Sequence, residues 1–210
     1  HTMLHDYEQK LEKAYTIDDL TDMDEDAEID YDQYLEHFAS VLGDFPRRIY
    51  SSFIVSWYSI IEDMLFQLCE DLGLGISVTV QDTIRLGTGI QRSRLFLAEA
   101  ANYTIDNDPW QELTKIQKVR NKIVHAGGRF AYSRDVPNGD SGAIPVPVNG
   151  ETIYYLYAEK SLYRYLDKHE LLKFYGTFFI NPSFEYCSHL VMFGEHFFTK
   201  ILHDLKLISP

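Results

Sequence analysis

Cysteine is scarce in this 210-residue chain, which holds only Cys69 and Cys187. Two thiols cannot build a disulfide framework, although they can form a single bridge. Both lie in apolar, helix-patterned surroundings, and the expectation is a pair of reduced core residues. Also lacking is any apolar run near the ~20 residues of a membrane span. With 45% hydrophobic and 24% charged residues, the composition is that of a soluble globular protein. Basic residues are outnumbered, 19 against 32 acidic, giving a formal net charge of −13. That balance argues against coating nucleic acid through overall electrostatics, but it leaves room for a local basic cleft. Phosphate-cradling loops are missing as well, because LGLG (72–75) and LGTG (86–89) lack both the spacing and the lysine. No internal repeat or low-complexity tract stands out. His1 and Thr2 precede Met3 and read as a cloning remnant; no signal peptide follows, so the expected location is cytoplasmic.

What is present reads as helix. The length suits one substantial core, and the expected division is a tag remnant, short helix and acidic leader over 1–26, then a single helical domain over 27–210. Leu4 to Tyr15 suits a short amphipathic helix, and Ile17 to Asp32 is densely acidic. A calcium loop starting at Asp22 would use Asp24 and Asp26, but Ala27 stands where the turn glycine belongs and Gln33 where the bidentate glutamate belongs. A solvated linker or partner-facing segment is the simpler reading. A helix is expected from about Ala27 to Leu42, ended by Gly43. Asp44 would cap the next, Phe45 to Leu72, with Pro46 in its first turn and Gly73 beyond its end. Phe53, Trp57, Ile60, Ile61, Met64, Leu65 and Leu68 form its apolar stripe, with Glu62 on the border.

A further helix is predicted over Gln91 to Asn102. After residue 128 the character changes, and AIPVPV, NG and ETIYYLY read as a hairpin insertion, about 130–158, with Asn149 and Gly150 at the turn. The prolines confine the first arm to an edge. Tyr154, Tyr155 and Tyr157 suit ordinary strand packing or stacking on bases. Ala158 to Tyr175 reads as a short helix and Pro182 to Leu207 as a long closing one, its core face Cys187, Leu190, Val191, Phe197, Phe198, Ile201 and Leu205. His189, His196 and His203 recur on the other face. Successive members stand roughly 10 Å apart along the axis, so they cannot share an ion, and no metal centre or cofactor is expected.

One stretch carries chemistry: Lys118 to Gly128, KVRNKIVHAGG. It closes a helix expected from about Trp110 to Ala126, with Asp108 and Pro109 as cap and first-turn residues. Leu113, Ile116, Ile123 and Val124 share a stripe, and Arg120 falls inside it. A guanidinium aimed at a core needs a counter-charge, and Glu62 is the candidate. His125 sits in the last turn before two glycines, where the helix dipole favours an imidazolium. A purely structural account also fits: Arg120 pairs with Glu62 and His125 caps the helix. Lys118, Lys122 and Arg129 are the nearby cations with which RNA could be held, alongside Lys115 and Arg134.

RNKIVH, with the upstream WYSIIEDMLFQL, resembles the HEPN superfamily (higher eukaryotes and prokaryotes nucleotide-binding), over roughly Asp44 to Gly128 plus the closing helix. The resemblance implies a mainly all-α, HEPN-like helical bundle, here with a small β-hairpin insertion. RNase members carry an arginine, often a polar residue after it, and a histidine late in a helix, positions matched by Arg120, Asn121 and His125. The resemblance further implies a homodimer whose composite cleft holds two arginines and two histidines. In HEPN toxins paired with nucleotidyltransferase antitoxins, a tyrosine lies two residues after the histidine; Gly127 stands there, so that partnership does not carry over.

Cleaving RNA by 2′-hydroxyl attack without a metal needs a base, positive charge for the phosphorane and an acid for the leaving oxygen. His125 can move protons near neutral pH, Arg120 offers a charged fork matched to phosphate, and Asn121 shares a helix face with His125. The expected function is a toxin or antiviral-defence endoribonuclease, restrained by an antitoxin or defence partner. The alternative is a non-catalytic HEPN dimerisation or nucleotide-binding module.

Overall fold

The computed structural model describes residues 25–76, 89–134, 144–155, 160–174 and 176–208. The expected Leu4–Tyr15 helix, the start of the acidic run and Tyr157 lie outside them. By compactness the chain divides into two units, 1–46 and 47–210. Among the described residues the fold is mainly α, with five helices and two small three-stranded sheets. No helix there is long and apolar enough to cross a membrane.

The first helix, α1, spans Glu25–Ile76. It corrects three expectations. The helix starts at Glu25, two residues before the expected Ala27. Gly43 and Pro46 do not separate two helices, since a proline removes only one backbone hydrogen bond from a ladder this long. At the far end the helix passes Gly73 and continues to Ile76.

Within 47–210 a single apolar core gathers every helix. Ile54, Tyr58, Ile61 and Leu65 of α1 recur at steps of three and four and are almost wholly buried. Ile60 and Met64, expected in the same stripe, are 56% and 43% exposed, so the buried face is narrower than the run of apolar residues. Against it pack Phe96 and Leu97 of α2 (Ile90–Glu99), then Leu113, Ile116 and Val119 of α3 (Asn107–Ala126). Each such side chain contributes roughly 1.5–3 kcal/mol when fully buried. Cys69 and Cys187 are free and buried, as expected, and burial pushes both thiols up to about 11.

The first sheet has the order β1-β6-β5, all antiparallel: β1 is Arg129–Phe130, β5 Leu172–Phe174 and β6 Phe178–Ile180. The second has the order β2-β4-β3, from Tyr132–Ser133, Glu151–Tyr155 and Ile144–Val148. The hairpin is the expected one: Asn149 and Gly150 turn with φ of 49° and 86°, and proline-bearing β3 lies at the edge.

Helix α4 is Lys160–Lys168, shorter than the expected Ala158–Tyr175. Glu170 takes a left-handed φ of 53°, and LKF then alternates as strand β5. The closing α5 is Phe184–Asp204, capped by Ser183, whose hydroxyl accepts from Tyr186 N at 3.3 Å. Of its expected core face Val191 is 51% exposed and Leu205 half-buried, while the remaining members are buried.

Gly194 lets α5 approach α1 closely, because a Cβ there would stand 3.1 Å from Trp57 Cζ2 and 3.2 Å from Ile61 Cδ1. Gly194→Leu should therefore destabilise the fold by roughly 1–3 kcal/mol through overpacking. Urea unfolding measures this, and an unchanged midpoint would refute the close approach.

Candidate functional site

The motif helix α3 is wound tightly into the core. Leu113, Ile116 and Val119 are fully buried, which fixes its rotation. It begins at Asn107, with Asp106 at the N-cap and Asp108 in the first turn, three residues earlier than the sequence pattern places it. It ends at Ala126 as expected. Gly127 and Gly128 adopt φ of 57° and 75°, and the Gly128 N–H donates to Lys122 O at 3.0 Å. The chain enters β1 at once, and Ile180 N donates to Gly128 O at 2.9 Å, so strand β6 holds the helix end.

Arg120 turns toward α1. Its Cζ lies 5.8 Å from the centre of the Tyr58 ring, Nη1 donates to Asn121 Oδ1 at 2.9 Å, and Nε is buried without a hydrogen-bond partner. The Tyr58 hydroxyl is likewise buried and unpartnered. Glu62 acts on this pair through space. Burial raises the Glu62 carboxyl above its usual range while the Arg120 charge pulls it down. Tyr58 is raised by burial first and by Glu62 second. Glu62 thus faces Arg120 electrostatically, but the guanidinium hydrogen bond goes to Asn121. The Glu62 carboxylate also lies against the start of α2, where a Cβ on Gly89 would fall 2.6 Å from Oε1.

His125 is exposed in the last turn of α3. Five residues after Arg120, it stands about 140° further round the axis, so within one chain the two groups face different ways. Asn121 joins the two sides: it accepts from Arg120 and lies one turn below His125 on the same face. Val124, expected in the buried stripe, is 47% exposed beside it.

Below the helix end opens a groove of about 580 Å³, lined by Arg47, Arg48, Ser51 and Ser52 of α1, by Ile123, Ala126 and Gly127, and by Arg129. Arg129 was among the expected RNA-binding residues. Arg47 and Arg48 were not, although an arginine pair in so acidic a chain was a legible signal. Arg47 Cζ also lies 5.1 Å from the Phe179 ring. Lys122 Nζ stands 4.6 Å over Phe130, and Lys118 is half-buried one turn earlier.

A second cluster lies elsewhere on α3. Glu112 meets His189 of α5, Oε1 to Nε2 at 3.3 Å, and His169 from the α4–β5 connection at 3.7 Å. One ligand atom from each lies within 4.8 Å of the others. The three α5 histidines do not converge, as the spacing requires: His196 lines a separate cavity with Tyr103 and Lys200, and His203 lies near Asp204. His189 nevertheless meets a histidine and a glutamate from other segments, an encounter that the heptad spacing could not reveal. Compared with known protein families, with curated proteins and with solved structures, the chain matches none.

Because the Glu62 pKa is raised on folding, its contribution to stability is fully present below the unfolded value near 4.5 and is lost as pH rises through the folded value. Glu62→Gln, which mimics the protonated acid, should be as stable as wild type or more so at pH 7. Wild type should gain on it as pH falls toward 4.5. Paired denaturant titrations across pH measure the sign, and a larger deficit of the variant at pH 7 than at pH 4.5 would show that the ionised carboxylate is needed.

Proposed function

We propose that the chain is a metal-independent endoribonuclease of the HEPN type, cutting single-stranded RNA at a site composed from two protomers. The observation that carries this reading is the groove bearing Arg47, Arg48 and Arg129 at the same helix end as Asn121 and His125. On a chain of net charge −13, it is a place where phosphates would be held. His125 would take the 2′-hydroxyl proton, a second His125 would protonate the leaving oxygen, and Arg120 would swing from its place against Tyr58 to meet the phosphorane. The dimer supplies what one chain lacks, because Arg120 and His125 of one helix diverge. Exposed Val124 is an apolar residue that a second motif helix would cover. RNA as substrate, a homodimer, an antitoxin or defence-system partner and a cytoplasmic setting belong to this proposal.

The inward turn of Arg120, clamped by Asn121 beneath Tyr58, favours a second reading. There the motif keeps its geometry for folding, and the chain serves as a non-catalytic HEPN dimerisation or nucleotide-binding module.

Purified protein should cut single-stranded RNA in EDTA and leave 2′,3′-cyclic phosphate ends. His125→Ala should slow this by at least ~10²-fold, the usual scale for a general acid–base group, and Arg120→Ala by a comparable factor while remaining a folded dimer. No cleavage by wild type, with retained nucleotide binding, would select the second reading. Arg47→Ala with Arg129→Ala should weaken RNA binding and flatten its salt dependence by about one unit of log slope per lost phosphate contact. A strictly monomeric protein in sedimentation would overturn the two-chain site.

A further inference from the structure

The nuclease proposal makes no use of Glu112, His169 or His189. Glu112 and His125 are separated by 13 positions on α3, about 20 Å along its axis, so the cluster is a separate centre. We propose that Glu112, His169 and His189 form a binding site for one borderline divalent transition-metal ion of the zinc class, with an open coordination position facing a cavity.

The donor set comes first. Two imidazoles and one carboxylate suit zinc and its neighbours, whereas magnesium and calcium require oxygen donors. The separations come next. Ligand atoms about 2.0–2.2 Å from a tetrahedral ion stand roughly 3.4 Å apart. Glu112 Oε1 already lies 3.3 Å from His189 Nε2 and 3.7 Å from His169 Nε2, and one ligand atom from each of the three residues lies within 4.8 Å of the others.

Nε2 of His169 is buried and has no hydrogen-bond partner, a cost to folding that a bound ion would remove. Its ring is held in place by packing, with centroids 4.6 Å from Tyr165, 5.4 Å from Tyr186 and 4.8 Å from His189. The Tyr165 and Tyr186 hydroxyls bond each other at 3.1 Å and so back the site as a rigid wall. Donors are thus fixed from three separate elements, α3, the α4–β5 connection and α5.

The groups facing His169 are His189, Glu112, Lys168 and Lys115. Burial first, and His189 second, lower the His169 pKa, a direction that favours the neutral imidazole a metal requires. Three protein ligands leave a tetrahedral ion one position short, which is the form of an open rather than a closed site. His169 and His189 also line a cavity of about 440 Å³ with Lys168, Lys173, Glu170 and Glu185. A water or an oxygen ligand entering from this cavity would fill the fourth position.

The test uses the full chain, stripped with EDTA and dialysed, then titrated with cobalt as a spectroscopic probe and with zinc as competitor. Expected are one cobalt per chain, a visible absorption band of a four- or five-coordinate ion, its loss on adding zinc, and weaker binding in acid, where protons compete for the ligands. His189→Ala and Glu112→Gln should each weaken zinc by at least ~10-fold, the scale on which losing even an outer partner is felt. His196→Ala should leave affinity unchanged. His189 and Glu112 are both only partly buried, and circular dichroism checks that their variants fold. Absence of saturable binding, or binding that survives both substitutions unchanged, would overturn the site. Cleavage in EDTA reports on the other centre alone, so the two proposals stand or fall separately.

Discussion

The rotation of α3 about its own axis is the constraint on which the candidate chemistry depends. Leu113, Ile116 and Val119 are buried to the last atom, and no other rotation would hide all three. Once they are fixed, every polar residue of the helix has its direction assigned. Glu112 is set toward α5, Arg120 toward Tyr58 of α1, and His125 toward solvent. A helix that merely lay on the surface could roll to suit a ligand. This one cannot, so its charged side chains must find partners where the apolar stripe leaves them.

Arg120 shows how such a constraint is met. A guanidinium held beside a core requires compensation, and three groups supply it in part: the Tyr58 ring face, the Asn121 carbonyl and the field of Glu62. None satisfies Nε. Glu62 in turn carries a raised pKa because burial outweighs the attraction of the arginine. The group is therefore under electrostatic tension in both directions, a condition that clusters at functional positions more often than elsewhere.

Much of this was legible in the sequence where a signal is local. The end of α3 could be read from Gly127 and Gly128, the hairpin from Asn149 and Gly150, and the inward Arg120 from the stripe around it. Signals that depend on distant partners were not legible. Strands of two or three residues, such as Arg129–Phe130 and Phe178–Ile180, are too short to show alternation and exist only because they pair. Apolar identity likewise cannot say which edge of a stripe stays wet, and Ile60, Met64, Val124 and Val191 are all substantially exposed. Pro46 misled because its effect depends on how much helix surrounds it. His189 was visible as one of three spaced histidines, yet its neighbours Glu112 and His169 come from elsewhere in the chain.

The two-glycine connection between α3 and β1 has a geometric consequence of its own. A helix repeats every 3.6 residues and a strand every two, and the connection joins the two rhythms at a set phase. With Gly127 and Gly128 as the spacer, Phe130 falls inward and Arg129 falls toward the groove. Adding or removing a single residue there would exchange the two faces, burying the cation and exposing the ring. The length of this joint, rather than the identity of any side chain, is the gauge that puts a positive charge at the mouth of the groove.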